Sequence, residues 1–197
     1  MMIRLKYGNT NTYYIPGHSG GVLVDTDYAG TLHTFYRTIK QNGIGIRDIV
    51  YVLATHYHPD HMGLIGDLMN QGVTLLLPDI QRNAVHFSDA IFVRDKLPFT
   101  PVNEAQAVVF PCKESRSILS GLGIAGEVIS TPSHSEDSVS LILDDGDCFV
   151  GDLEPYEYLA AYEENLPLQN DWAHVLAFHP KRIFYAHAPE KILSCNG

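Results

Sequence analysis

Basic charge is scarce in this chain. Thirteen Lys and Arg stand against 23 Asp and Glu, a formal net charge of −10 over 197 residues. So acidic a surface argues against nucleic acid or an anionic membrane as the main partner, because both require positive charge. Cysteine is nearly absent. Cys112, Cys148 and Cys195 are odd in number and widely spaced, which suits a reducing cytoplasm better than a disulfide scaffold. No Cys-x-x-Cys occurs, which argues against a thiolate zinc site or a redox dithiol. No apolar run approaches the roughly 20 residues that cross a bilayer. The first residues, Met1-Met2-Ile3-Arg4-Leu5-Lys6, lack the apolar core of a signal peptide, so a cytoplasmic location is expected. There is no internal repeat, low-complexity tract or linker. Residues 1–197 therefore read as one domain, long enough to bury a core.

What is present is strand and helix patterning in both halves. Ile3–Tyr7 alternates like an edge strand, and Tyr13–Ile15 and Val22–Val24 are short β-rich runs around a Pro-Gly turn. Leu32, Phe35, Tyr36 and Ile39 have helical spacing, with Gly43 placed to end the helix. Ile49–Ala54 is a buried strand, Met62–Asn70 a helix, and Val73–Leu77 another strand. Asp79 is placed to cap a short helix through Phe87. From Ser88 to Cys112 the pattern weakens, with Pro98, Pro101 and Pro111 among scattered phenylalanines. A helix over Ser115–Leu122 and a strand over Glu127–Ser130 follow. Ser138–Leu143 and Cys148–Val150 flank a hairpin turn at Asp144–Asp147. A helix over Asp171–Phe178 and a strand over Arg182–Tyr185 close the pattern. Strands recurring in both halves with helices between them predict two packed sheets with helices outside.

The buried strand at Ile49–Ala54 runs into His56-Tyr57-His58-Pro59-Asp60-His61. Three imidazoles and a carboxylate lie within six residues, and these are ligands for zinc, non-haem iron or manganese. Three further donors also follow strands: His134, Asp152 and His187. Seven donors are too many for one catalytic zinc, which takes about three plus water. They suit two ions with one carboxylate between them, polarising a shared water to hydroxide near neutral pH.

These residues, in this order, resemble the metallo-β-lactamase superfamily. The resemblance runs from about Asn11 to about Pro189. It implies an αββα four-layer sandwich, two mixed β-sheets with helices on the outer faces. It implies that His56, His58 and His134 bind a first metal, and Asp60, His61 and His187 a second, with Asp152 bridging. Asp25, in Leu23-Val24-Asp25-Thr26, resembles the family's strand-end carboxylate that orients a ligand histidine. The implied activity is that of a glyoxalase II or lactonase-like hydrolase, with metal-bridged hydroxide attacking a thioester, lactone, amide or similar bond. Asp60 would help to move a proton, zinc would be the first choice of metal, and the substrate would be a small molecule. The competing reading is a mononuclear iron oxidoreductase similar to persulfide dioxygenases. The chain departs from the family's glycines at Asp27, Ser133, Ala186 and Ala188.

Other polar and aromatic residues have two readings each. Tyr57 could contact substrate or stabilise its loop by packing. Tyr156 and Tyr158 could line the pocket or lie outside it. Ser88–Cys112 could carry substrate recognition or fill a small core of its own. The acidic Asp144–Asp147 run reads as a solvated turn. His18, His33, His86, His174 and His179 have no partner pattern and read as ordinary histidines.

Overall fold

The computed structural model describes residues 2–193; Cys195 lies outside them. Among the described residues two mixed sheets face each other, each built from consecutive strands. The first has the order β1 (Ile3–Lys6), β2 (Asn11–Ile15), β3 (Gly21–Val24), β4 (Ile49–Leu53), β5 (Thr74–Pro78), β6 (Val108–Phe110). Its first two pairings are antiparallel and the rest parallel. The second has β7 (Gly126–Ser130), β8 (Val139–Leu143), β9 (Asp147–Gly151), β10 (Arg182–Tyr185) and β11 (Lys191–Ile192), with β9 and β10 parallel.

The alternation of side chains along these strands accounts for the layers. Successive residues point to opposite faces, and here both faces are apolar. Val22, Val24, Leu53 and Leu76 point inward, meeting Leu141, Leu143, Phe149 and Phe184 of the second sheet. Leu23, Val52, Leu75 and Leu77 point outward, under Phe35 and Ile39 of α1 (Leu32–Gln41) and Phe92 of α4 (Asp89–Arg94). On the other side, Ile142, Val150 and Ile183 meet Leu168, Trp172 and Val175 of α6 (Leu166–Leu176). Each such side chain contributes about 1.5–3 kcal/mol when buried, so strands apolar on both faces must lie between two covering layers. The αββα sandwich is thus present as the sequence predicted.

Several boundaries differ from expectation. Met62–Asn70 is not one helix but the end of α2 (Pro59–Met62) and then α3 (Ile65–Met69). The break has a tertiary cause. The His61 carbonyl accepts from Thr26 N at 2.9 Å, and Leu64 N donates to Thr26 Oγ1 at 3.2 Å. Gly63 also passes so close to residues 27–29 that a Cβ there would lie 2.2 Å from Ala29 N. After Asp79 there is only a 3₁₀ turn over Asp79–Gln81. Helix α6 starts earlier than Asp171, because Asn165 caps it by accepting from Leu168 N at 3.2 Å. The Ser88–Cys112 segment contains α4 and β6 and is anchored by a few buried side chains, Ser88, Phe92, Val102 and Phe110, while the rest of it is half-buried or exposed; Phe87 at its border is exposed. The hairpin turn is less solvated than expected, since buried Asp147 pairs with Arg182 at 2.7 Å.

Cys112 and Cys148 are free thiols. Among the described residues no helix is long and apolar enough to cross a membrane.

Candidate metal centre

The seven candidate donors gather at one edge of the sandwich, where strands from both sheets end. After β4 the chain carries His56 and His58 into α2, which holds Asp60 and His61. Pro59 opens that short helix, at the position where its missing N–H costs nothing. His134 follows β7, Asp152 follows β9, and His187 follows β10. The first sheet gives four donors and the second gives three.

Their atoms form three overlapping groups, each within 4.8 Å: His56, His58 and His134; His56, His61 and Asp152; Asp60, His61 and His187. Asp152 links them. Its Oδ2 lies 3.4 Å from His61 Nε2, 3.7 Å from His134 Nε2 and 4.0 Å from His56 Nε2. Its Oδ1 lies 3.4 Å from His187 Nε2. Asp60 Oδ2 stands 3.1 Å from the same His187 nitrogen.

Whether these residues suit a metal can be judged from their own chemistry. His56 Nε2 and His61 Nε2 are buried and have no hydrogen-bond partner, which is costly unless a further group binds there. Burial, reinforced by neighbouring His61, holds the His56 pKa well below the ordinary value, so its ring is neutral and its nitrogen can donate an electron pair. Burial also lowers His134. For His61 burial opposes charge, but Asp25 and Asp152 outweigh it and push the pKa up to about 10. Carboxylates that hold a proton on that ring would equally favour a metal cation at Nε2. For Asp152 burial works upward, yet the surrounding histidines hold it below the usual carboxylate range. The donor set fits divalent cations.

Asp25 lies behind His61. Its Oδ2 is 3.1 Å from His61 Nδ1, on the ring nitrogen turned away from Asp152. It also accepts from Thr55 N at 2.6 Å and from Thr55 Oγ1 at 2.9 Å. Its φ of 60° is unusual for a non-glycine residue. Four supporting residues escaped sequence reading. Thr55 Oγ1 lies 3.3 Å from His56 Nδ1. Gln81 donates to the carbonyls of Ala54, Thr55 and Asp137, at 3.1, 3.2 and 3.0 Å. Asp137 accepts from Tyr57 N at 2.7 Å, and Ser88 Oγ donates to Tyr57 O at 2.7 Å. A hydroxyl residue between the apolar run ending at Ala54 and His56, as Thr55 is, was the one available signal. Tyr57 itself is buried and packs in the outer core. Tyr156 packs on Trp172 with centroids 5.3 Å apart, and Tyr158 is exposed. Tyr162, which no pattern singled out, lines the cavity beside Asp152.

The family model for the metallo-beta-lactamase superfamily matches residues 5–187. The chain belongs to that superfamily. Among curated superfamily relatives, it is 26% identical to the beta-lactamase-like protein 2 homolog of Drosophila melanogaster, over 90% of this chain and 58% of that one. It is 29% identical to a probable metallo-hydrolase of Methanocaldococcus jannaschii, over 72% of this chain and 67% of that one. The chain spans about half the length of most curated relatives it matches, from 41% to 58%. A metallo-beta-lactamase family protein of Thermus thermophilus shares the fold, with a TM-score of 0.74, 19% identity, and coverage of 97% of this chain and 74% of that one. So does TTHA1623, solved in a di-iron-bound form, with a TM-score of 0.68, 20% identity, and coverage of 98% and 94%.

Three of the four departures from the superfamily's glycines have local hydrogen-bond partners. Asp27 accepts from Thr10 N at 3.0 Å and from Tyr28 N at 2.7 Å. Ser133 N donates to Asp171 of α6 at 2.7 Å. Ala186 N donates to Gly151 O at 2.9 Å, and the Ala186 carbonyl accepts from Asn11 N at 2.7 Å.

Proposed function

We propose that this superfamily member is a binuclear metal-dependent hydrolase acting on a thioester, lactone, amide or similar bond of a small molecule. Asp152 carries the reading: one oxygen faces His61, His134 and His56, while the other faces His187. In this reading His56, His58 and His134 hold one ion, and Asp60, His61 and His187 hold the other. Asp152 spans the two. When bound, two divalent cations lower the pKa of water between them and stabilise negative charge on a substrate oxygen.

Asp60 moves the proton. Burial raises its pKa, but His187 outweighs that and holds it below the usual carboxylate range. It is therefore ionised at neutral pH and able to accept a proton, then pass it to the leaving group. Thr10 Oγ1 fixes the Asp60 carbonyl at 2.7 Å, which holds the helix turn carrying the carboxylate.

Zinc is the proposed metal. Iron is the competing outcome, since a fold neighbour was solved with two irons and the donor set accepts either. A cytoplasmic location, with no nucleic-acid or membrane partner, belongs to the same proposal. The test is elemental analysis of protein purified without added metal, followed by a panel of thioesters, lactones, amides and phosphodiesters. Two zinc equivalents with acyl hydrolysis are expected. One iron with oxygen uptake on a persulfide would replace this reading with the mononuclear oxidoreductase.

A further inference from the structure

A cavity of about 130 Å³ opens beside the donor cluster, with room for about four waters. Its inner wall is His134 and Asp152, and its outer wall is Glu154, Tyr162 and Asn165. Ser133 also lines it, and the Ser133 Oγ is buried without a hydrogen-bond partner. Among the described residues no Lys or Arg lines it. The sequence explains why: residues 117–180 carry twelve Asp and Glu and no Lys or Arg. Residues 48–81, which supply the other donors, also have no Lys or Arg. Lys191, nearby in sequence to His187, is engaged by Glu157 at 3.2 Å.

A second cavity, of about 120 Å³, is walled by Tyr57, His58, Ala84, Phe87, Ser135 and Asp137. The two cavities differ in chemistry. The second exposes a mainly apolar surface, its Asp137 carboxylate being engaged by Tyr57 N; the first offers a carboxylate, an aromatic ring and an unpartnered hydroxyl.

We infer that the Glu154 cavity receives a positively charged ammonium group of the substrate, and that Glu154 determines this charge preference. The inference rests on the hydrolase reading and names its substrate class: an acyl compound with an apolar acyl arm and a cationic leaving group. The Glu154 carboxylate supplies the counter-charge and the Tyr162 ring a face for the cation. In the loaded protein the Asp152 charge is taken up by the cations it would span, so the carboxylate that an anionic leaving group would meet in this cavity is Glu154. In the reaction the new C–O bond comes from water, the bond to the leaving group breaks, and the proton passes to that group.

Two measurements on metal-loaded protein test this. Trp172, the single tryptophan, donates to the Glu154 carbonyl at 3.0 Å, so its fluorescence reports on this cavity without any turnover. Titration with choline should saturate about fivefold to tenfold tighter than with the neutral isostere 3,3-dimethylbutanol. Glu154→Gln should abolish that difference. Equal binding of the two compounds by the parent protein, or a difference retained in Glu154→Gln, overturns the inference. Second, kcat/KM is compared for butyryl thioesters of thiocholine, 3,3-dimethylbutanethiol and 3-mercaptopropionate. The expected order is cationic, neutral, anionic, with Glu154→Lys reversing it. If choline binds as expected but no thioester is cleaved, the charge assignment stands and the thioesterase reading fails. If all three are cleaved without preference, the hydrolase reading stands and the charge assignment fails.

Discussion

Asp25 Oδ2 stands 3.1 Å from His61 Nδ1, on a ring whose other nitrogen lies 3.4 Å from Asp152 Oδ2. The imidazole is thus held between two carboxylates, one buried behind it and one at the open edge. Asp25→Ala should weaken metal binding about 10–100-fold, read by competition with a chromophoric chelator. Unchanged affinity would show that Asp25 serves only the Thr55 backbone.

The same pair predicts a pH effect in chelator-stripped protein. The His61 pKa is raised to about 10, above the value of roughly 6.5 expected when unfolded. The charged pair therefore stabilises fully below the unfolded value and is lost as pH rises through the folded one. Asp25→Asn should lower Tm by about 5 °C at pH 6. The gap between the two proteins should narrow by about pH 10.5, beyond the folded value. A gap independent of pH would contradict the ionised pair.

Asp152→Ala should abolish hydrolysis and loosen both metals, because it removes the carboxylate facing both sets of histidines. His18→Ala and His33→Ala, exposed and outside the donor groups, should change neither. Metal content by elemental analysis distinguishes the cases: full loading in an active Asp152→Ala protein would show that it bridges nothing.

The Ser88–Cys112 segment and its border hold two kinds of phenylalanine. Phe92 is fully buried, so Phe92→Ala should cost about 3–5 kcal/mol by urea unfolding. Trimming Ser88–Pro98 should accordingly unfold the protein, not retune it. Phe87 is exposed, with its ring centroid 6.2 Å from that of His58. Phe87→Ala should leave stability within about 0.5 kcal/mol and alter relative rates across acyl chain lengths. Identical relative rates would remove Phe87 from substrate contact.

Gly151 has φ 59°, and a Cβ there would lie 2.4 Å from Thr55 Oγ1. Gly151→Ala must therefore strain the backbone and displace the hydroxyl that contacts Asp25. A stability loss of about 2 kcal/mol, accompanied by weaker metal binding, is expected from parallel thermal and chelator titrations. A loss of stability with metal affinity intact would uncouple Thr55 from the centre.

The donors were legible in the sequence because each follows a strand that alternation makes visible. The layers were legible because Val22-Leu23-Val24 and Leu75-Leu76-Leu77 are apolar on both faces. What supports the donors was not legible. Gln81 joins three carbonyls from residues 54, 55 and 137, and nothing in its neighbours announces a partner 56 positions away. The break at Gly63 was hidden for the same reason, since Thr26 causes it from across the fold. Phe92 and Phe87 lie five positions apart in one stretch of weak pattern, and only packing tells core from surface.

The first sheet is made wholly from residues before 111 and the second wholly from residues after 125. Donors to the centre come from both. Metal ligation would therefore cross-link the two halves of the chain, since only the folded protein brings the full donor set together. Its free energy would add to the folding equilibrium, up to about 2.7 kcal/mol when free metal is a hundred times its dissociation constant and less by whatever the unfolded His56–His61 run retains. The melting temperature of this protein would then serve as a gauge of metal availability.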